Sequence, residues 1–596
     1  PNKNITKKRN NMNILKSINN KILNVYDRIV SLFAKVNNKK WFKPLIGFII
    51  FIIVFAFFFI FTYTHPIYEG VIYQLGNDNR VGKELSTNYR TFLATFDTTY
   101  ILITGVILIA VIGVIYIYLL LNKRNNFILG IIVLITIAII IRLTYMGYCD
   151  AIFKNQHDVW SDNNTGHLSI TFHLFYNGTI PPLYIDHNMS YQFYHFKTAH
   201  VIFAGFMQFM KLFVGENQYL LYQSIKIVST LMSIGIVILS YYIFKELKLT
   251  KRATIFSLIL TISFPTLVIL GANTNNDTCL FFFTYLSIYL AIRFYKNHSL
   301  KNIIYLALAL GLTVSTKLSG ALIALPIGVM MICVLIKSIQ NKTFSKMFLN
   351  YVIFAIICFP IGLFWGVVNK IVYDYSLTYV WQVTNTNLMV QGHSFLDRFL
   401  FLDVHSFFSN PYVILSAKNV NQTYNFFDFL VKSQLFGEWS LTKEYAEISM
   451  LLVSLSFVFV ALLFVLMSYF FVRLLIKKQY SKFIFYVVPL ILTFALSCLF
   501  GEGTDQVIGV GLIGISIALL IYYFLKKDYF ISKSYLAVIS VFMIYVVSYV
   551  YFNMKEPFAC TMDIRYMVPV LSVVAYFFGV YLDKFITQYT KSIKNN

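Results

Sequence analysis

Residues 148–200 read YCDAIFKNQHDVWSDNNTGHLSITFHLFYNGTIPPLYIDHNMSYQFYHFKTAH and separate two strongly apolar segments. This stretch is rich in acidic, histidine, asparagine and aromatic residues, although only 12% of the 596 residues of the chain are charged. With 58% hydrophobic residues and a mean hydropathy of +0.69, the chain is too apolar for a soluble domain, in which about a quarter of the residues are charged. The sequence therefore predicts a polytopic membrane protein with this stretch as a polar loop at the membrane surface.

The formal net charge of +24 is carried by short Lys and Arg clusters between the apolar runs. Clusters of this kind set the topology of membrane proteins by staying on the cytoplasmic side, so the charge does not indicate nucleic-acid binding. The basic tract of residues 1–40 feeds directly into an apolar run, which predicts a cytoplasmic tail rather than a cleaved secretory signal. The six cysteines occur singly, so the sequence indicates neither a structural zinc site nor a disulfide framework.

Apolar runs long enough for membrane spans recur along the whole chain. A span needs about 20 apolar residues, and counting such runs predicts about fourteen transmembrane helices. The basic connectors fall on alternate sides, which puts both termini in the cytoplasm and residues 148–200 outside. The runs are 41–64, 98–121, 127–145, 218–244, 253–270, 279–294, 303–315, 318–335, 351–368, 448–472, 483–500, 507–525, 535–552 and 567–585.

The same patterns predict how the chain is organised. Two outer-loop segments, 200–213 and 426–435, are expected to form interfacial helices lying along the membrane. We find neither an appended soluble domain nor an internal repeat. The predicted segments are a basic cytoplasmic tail (1–40), a helical hairpin (41–125), a core (126–370) with the outer loop 146–217, a large outer loop (371–447), and C-terminal transmembrane helices with a short basic tail (448–596).

Ionisable residues at the membrane edge are energetically costly and are therefore functional candidates. His157 and Asp158 follow the third span closely. A carboxylate there could act as general base on an acceptor hydroxyl, bind a divalent cation, or only cap a helix at the surface. His195 is a weaker candidate, because single histidines are often only hydrogen-bonded.

Two cations on the predicted outer side are further candidates. Lys317 lies alone between two apolar runs, and Arg565 precedes the last span. A cation there needs an anionic partner, and a lipid phosphate is a natural one, although Asp563 could simply neutralise Arg565. Asp277 ends the polar segment 271–277, which either anchors the outer loop or begins the next helix as a cap.

Several short motifs resemble, in order, those of a known family. They are QHDV (156–159), GH (166–167), NG (177–178), QFYH (192–195), NND (275–277), TKLSG (316–320), FGEW (436–439) and CTM (560–562). Over about residues 141–585 the chain resembles the bacterial protein O-mannosyltransferase and aminoarabinose-transferase-like branch of the GT-C membrane glycosyltransferases. It departs from that pattern after His195, where residues 196–198 read FKT instead of Pro-Pro-Leu.

The resemblance implies an inverting transfer of a sugar from a polyprenyl phosphate to a protein, glycolipid or cell-wall polymer on the extracytoplasmic face of a bacterial cytoplasmic membrane. Spans from residues 127 to 368 would form the seven-helix GT-C core. No resident cofactor is implied, and a divalent cation stays open. In the implied site Asp158 is the general base, Lys317 and Arg565 hold the donor phosphate, and His157, His167, His195, Asp277 and Glu438 line or brace the pocket.

Two other functions fit a polytopic chain with outer cations. A transporter or flippase of lipid-linked saccharides would place its polar groups near the bilayer midplane, often with internal symmetry. A polymerase or ligase of such saccharides would be expected to carry paired arginines in a large outer loop, and the loop 371–447 contains only Arg398. The concentration of polar residues at the outer edge favours the glycosyltransferase.

Overall fold

A computed structural model of the chain describes most of the predicted spans. The described residues are 16–32, 35, 39, 41–70, 88–92, 98–150, 167–180, 195–379, 398, 402–413, 425–437, 445–476 and 533–595, apart from single gaps at 29, 90, 125 and 557. These residues contain α-helices and short 3-10 helices and no β-strand. The predicted all-α class is therefore confirmed.

Seventeen α-helices, numbered here in chain order, are bounded within this part of the chain. They are α1 (Phe42–Tyr63), α2 (Thr99–Leu121), α3 (Phe127–Tyr148), α4 (His167–Asn177), α5 (Thr198–Val214), α6 (Gln218–Glu246), α7 (Lys251–Ser263), α8 (Pro265–Leu270), α9 (Asn276–Lys296), α10 (Leu300–Thr316), α11 (Ala324–Gln340), α12 (Phe344–Tyr373), α13 (Val404–Ser409), α14 (Phe426–Phe436), α15 (Ala446–Ile476), α16 (Lys533–Lys555) and α17 (Leu571–Asn595). 3-10 helices over Leu318–Ile323 and Ile564–Val570 lead into α11 and α17.

Residues 1–64 and 65–596 form two separate compact units. In the first unit, residues 16–28 are helical and are followed by α1. The side chains of Ile18, Ile22 and Val25 are exposed on the first of these helices, at the spacing of one helix face. The second unit contains all other helices and all the described candidate site residues.

Nine helical segments in the described residues are long and apolar enough to cross a membrane: Pro44–Tyr63, Thr99–Leu121, Phe127–Tyr148, Gln218–Glu246, Asn276–Lys296, Leu318–Gln340, Phe344–Tyr373, Ala446–Leu463 and Ile564–Thr590. Each overlaps a predicted span. The shorter helices α10 and α16 coincide with two more, and the runs 483–500 and 507–525 lie outside the described residues. The chain is thus a polytopic α-helical membrane protein, as predicted.

The run 253–270 differs from the single helix predicted for it. It divides into α7 and α8, because Phe264 is extended (φ −70°, ψ 110°) and Pro265 follows it. Proline has no N–H to donate and disfavours a helical conformation in the residue before it, so it begins a new helix.

The core of the second unit is a packed group of helices in the middle of the chain. Helix α9 packs against α6 and α10, and α10 packs against α12. Helices α5 and α14 occupy the positions predicted for interfacial helices. The boundary of α14 follows from its sequence, because the Asn425 side chain accepts hydrogen bonds from the N–H groups of Phe427 and Asp428 and caps the first turn.

Candidate active site

The predicted site residues fall into two groups. His157, Asp158 and Glu438 lie outside the described residues, and His167 begins α4 with a side chain that is likewise not described. The other four, His195, Asp277, Lys317 and Arg565, have described positions. Their geometry defines the described part of the candidate site.

Asp277 and Lys317 form a buried ion pair between the start of α9 and the end of α10. The Lys317 Nζ lies 2.6 Å from Asp277 Oδ1, and the two side chains are only 14% and 4% exposed. Asp277 is held in the first turn of α9, where its N–H donates to the side chain of the N-cap residue Asn275 at 2.9 Å. Because a buried charge is stable only when it is compensated, each member of this pair depends on the other.

The TKLSG motif explains how Lys317 is held. Lys317 ends α10 in an extended conformation, and its carbonyl accepts a hydrogen bond from the Gly320 N–H at 2.8 Å. A Cβ on residue 320 would lie 2.4 Å from the carbonyl oxygen of Thr313. Only glycine allows this close approach of the turn to α10, so the motif encodes the position of the lysine.

Arg565 and Lys317 lie near the same aromatic ring, although they are far apart along the chain. Arg565 has a buried side chain, and its N–H donates to the Asp563 carboxylate at 2.7 Å. Asp563 therefore caps the 3-10 helix before α17. The Arg565 Cζ lies 5.4 Å and the Lys317 Nζ 6.0 Å from the centre of the Tyr566 ring. The two cations are thus brought to one aromatic ring.

Lys197, one of the residues at which the chain departs from the family motif, is buried against α12. Its Nζ donates to the Asn369 Oδ1 at 3.0 Å and to the His195 carbonyl at 3.2 Å. The same nitrogen lies 5.6 Å from the ring centre of Trp365 and 5.4 Å from that of Tyr373. The sequence shows this substitution but no role for the lysine, because its contacts with α12 form only in the tertiary structure.

The neighbouring Thr198 fixes the same loop end to two helices. Its hydroxyl donates to the Ser315 hydroxyl at 3.0 Å and accepts from the Trp365 indole N–H at 2.9 Å. Ser315 precedes Lys317 by two residues at the end of α10. The segment that carries His195 and Lys197 is therefore anchored beside the Asp277–Lys317 pair.

The basic side chains of the site differ in whether they carry a charge at neutral pH. Burial, together with the positive charge of Lys317, holds the pKa of His195 well below its usual range. Burial also lowers the pKa of Lys197 to about 7. At neutral pH His195 is uncharged, and Lys197 titrates close to neutral pH instead of staying fully charged. Fixed positive charge at the site is therefore supplied by Lys317 and Arg565.

The root of the outer loop is also fixed by a buried network. Asp150 Oδ2 accepts hydrogen bonds from the Tyr89 hydroxyl at 2.7 Å and from the Gln223 amide at 2.6 Å. Lys226 donates to the carbonyl oxygens of Met146 at 2.9 Å and Cys149 at 2.6 Å. The loop that carries Asp158 thus starts at the end of α3, at a point that these hydrogen bonds anchor to α6. Asp150 is not among the site residues predicted from the sequence, because a carboxylate at the end of a span usually only marks the membrane edge.

Among the described residues, no group of three His, Cys, Asp or Glu side chains is arranged to hold a metal ion. The Asp277 carboxylate forms an ion pair with Lys317. The chemistry available in this part of the site is the binding of an anion by buried cations, with aromatic rings and a neutral histidine beside them.

The fold is that of a multi-spanning α-helical membrane protein, and the described part of its candidate site is cationic. Residues 207–373, which include Asp277 and Lys317, match the family model described as dolichyl-phosphate-mannose-protein mannosyltransferase. This part of the chain is therefore similar to that family, which confirms the resemblance that the motifs predicted. The match ends at the last residue of α12.

Two solved structures are also similar to the chain. Both are of ArnT from Cupriavidus metallidurans. The apo state is 12% identical with a TM-score of 0.33 and covers 76% of each chain. The state bound to undecaprenyl phosphate is 12% identical with a TM-score of 0.31 and covers 76% of this chain and 77% of that one. No curated protein sequence matches the chain.

Proposed function

We propose that the protein transfers a sugar from a polyprenyl phosphate to an acceptor hydroxyl on the extracytoplasmic face of a bacterial membrane, with inversion at the anomeric carbon. The observation that carries the proposal is that two cations, the largely buried Lys317 and the buried Arg565, lie near the same Tyr566 ring. One of them lies inside the segment that matches the mannosyltransferase family. Buried cations of this kind suit a ligand with a phosphate group.

The proposed reaction makes one glycosidic bond and breaks the glycosyl–phosphate bond of the donor. The acceptor oxygen attacks the anomeric carbon while Asp158 takes the hydroxyl proton as general base. The bond from the anomeric carbon to the phosphate oxygen breaks, and the electron pair leaves with the polyprenyl phosphate. Lys317 and Arg565 stabilise the negative charge that develops on this phosphate. The acceptor is a protein, a glycolipid or a cell-wall polymer.

The proposal is tested with the full chain in liposomes that contain a radiolabelled polyprenyl-phosphate sugar pool and membrane acceptors. The expected result is label in a new glycosidic bond, with release of polyprenyl phosphate. Movement of labelled lipid across the bilayer without a new bond would instead identify a flippase and contradict the proposal. Transfer from a nucleotide sugar in the absence of the lipid donor would contradict it as well.

The proposed donor site predicts a pH dependence that depends on Lys197. Below about pH 7 its charge adds to those of Lys317 and Arg565, and this charge is lost as the pH rises through the pKa of about 7. We therefore expect the KM for the lipid donor to increase about threefold to tenfold between about pH 6 and pH 8. His195 stays neutral over this interval, because its pKa is well below its usual range.

Two variants separate Lys197 from the titratable groups beside it, which are His195 in its own loop and Tyr373 of α12. Lys197→Arg keeps the charge at all these pH values and is expected to hold KM low and constant. Lys197→Met removes the charge and is expected to hold KM high and constant. A native-like pH dependence of KM in either variant would assign the titration to another group.

A further inference from the structure

A helix with an open apolar face precedes α1 in the first compact unit. We call the helical residues among 16–32 the tail helix. Four apolar side chains along it are between 48% and 62% exposed: Ile18, Ile22, Val25 and Leu32. The spacing of these residues, in steps of four, three and seven, places them on one side of the helix. The described part of the chain therefore leaves this apolar face uncovered.

Basic side chains border the apolar face. Lys21 and Arg28 are exposed and lie two helical turns apart, so they form one row along the helix. Each is four residues before an exposed apolar residue, Val25 for Lys21 and Leu32 for Arg28, and residues at this spacing are neighbours on a helix surface. The surrounding tail is also basic, since residues 1–40 contain ten Lys and Arg but only one acidic residue.

The side of the tail helix opposite the apolar face is polar. Asn20, Asn24 and Ser31 lie there, and all three are exposed. A transmembrane helix would be apolar on every side, and a purely solvated tail has no reason to collect its apolar residues on one side. An apolar face bordered by cations and backed by polar residues is the pattern of helices that lie in the plane of a membrane surface.

Helix α1 keeps the tail helix close to such a surface. It contains the apolar span Pro44–Tyr63, and the exposed Trp41 at its N-cap is of the kind found where spans leave the membrane. Nine residues separate Leu32 from Phe42, and even when fully extended they reach no further than about 35 Å. The effective concentration of the tail helix at the bilayer is therefore high.

A lipid surface fits the tail helix better than a second copy of the chain does. Two apolar faces packed together would bring two rows of Lys21 and Arg28 side by side, within tails that both carry a large positive charge. Like charges at such short range repel each other. A bilayer that contains anionic lipids covers the apolar side chains with acyl chains and places negative headgroups beside the cations.

We propose that the tail helix lies on the surface of an anionic bilayer, in the leaflet at which α1 begins. Ile18, Ile22 and Val25 enter the acyl-chain region, and Lys21 and Arg28 contact phospholipid headgroups. The ligand is the bilayer surface itself, so this inference does not depend on the proposed function. The position of the tail is then sensitive to the anionic lipid content of the membrane.

The position of the helix is tested with the full chain in nanodiscs of phosphatidylcholine alone or mixed with phosphatidylglycerol. A fluorescent amino acid is placed either at position 22 or at position 24, which lie about 200° apart around the helix. In discs with phosphatidylglycerol, lipids brominated on the acyl chain should quench the probe at 22, and acrylamide in the water should quench it at least about fivefold less than the probe at 24. Equal access of acrylamide to both probes would overturn the inference.

The basic row is tested by Lys21→Gln combined with Arg28→Gln. Each cation near an anionic surface contributes about a fivefold increase in affinity, so insertion of the position-22 probe should become about 10-fold to 30-fold weaker. High salt should weaken insertion of the native helix as well, because it screens these charges. Lys248→Gln combined with Lys251→Gln is the matched control, since it removes two exposed cations between α6 and α7. An equal loss in this control would overturn the role of the row.

The apolar face is tested by Ile18→Gln combined with Val25→Gln. With the probe kept at position 22, insertion should weaken by about 10-fold to 100-fold, because the acyl chains would have to accept two amide groups. Asn20→Gln combined with Asn24→Gln is the matched control on the polar face, and it should leave insertion unchanged. Unchanged insertion in the apolar-face variant would overturn the inference.

Two further outcomes identify a different occupant. Protection of the position-22 probe from acrylamide without quenching by the brominated lipids, lost when each disc holds a single chain, would identify a second copy of the chain and overturn the inference. Equal insertion in discs with and without phosphatidylglycerol would overturn the requirement for an anionic surface. Sugar transfer is measured separately, so neither result decides the proposed function.

Discussion

Asp158→Asn is expected to reduce sugar transfer by about 10²-fold to 10⁴-fold, which is the usual contribution of a general base. Asparagine has nearly the same shape as aspartate and can still hydrogen-bond, but it cannot accept the proton of the acceptor hydroxyl. The loss should therefore appear in kcat, while the Kd for undecaprenyl phosphate stays close to that of the native protein. The measurement is radiolabel transfer at saturating donor, with donor binding measured separately.

Asp162→Asn is the matched control for this prediction. Asp162 lies four residues further along the same loop and carries the same kind of side chain. Its substitution makes the same change of charge without removing the proposed base, so transfer is expected to stay near the native rate. Undiminished transfer by Asp158→Asn, or an equal loss in both variants, would withdraw the assignment of Asp158 as the base.

Lys317→Met is expected to have two effects, because this lysine both faces the proposed donor and compensates a buried carboxylate. Loss of one charge-stabilising contact at a reacting group typically lowers the rate by about 10²-fold to 10³-fold. Loss of the partner of Asp277 leaves a buried charge uncompensated, which costs about 3 to 5 kcal/mol of folding stability. The single variant should thus be nearly inactive and less stable. Transfer and thermal unfolding are measured in the same preparation.

A double variant separates the two effects. Lys317→Met combined with Asp277→Asn removes both charges, so the stability of the protein should recover in large part. Transfer should stay low, because the contact with the donor phosphate is still missing. Recovery of transfer together with stability would mean that the ion pair only supports the fold, and Lys317 would no longer be a ligand of the donor.

The spans and the helix boundaries were predictable because their causes are local. The prediction of a helix over residues 426–435 matches α14, since its apolar period and the Asn425 cap lie in the same short segment. The positions of the spans follow from the length of their apolar runs. The division of residues 253–270 at Pro265 was also encoded locally, and the prediction missed it by counting apolar residues without the proline.

The candidate site could be predicted only as a set of residue types. Sequence motifs pointed to Asp277, Lys317 and Arg565, because charged residues beside apolar runs need a reason to be there. They did not give the ion pair between the first two or the shared Tyr566 ring. The assignments of His157, Asp158, His167 and Glu438 stay predictions.

The sequence by itself determined that this chain is an all-helical membrane protein, where most of its helices begin and end, and which family its motifs resemble. These properties depend on composition, periodicity and caps within a few turns of chain. Only the tertiary structure decided that Arg565 and Lys317 lie near the same Tyr566 ring and that Lys197 is buried against α12. Such contacts join residues that are distant along the chain, and they form only when the packing of the helices brings those residues together.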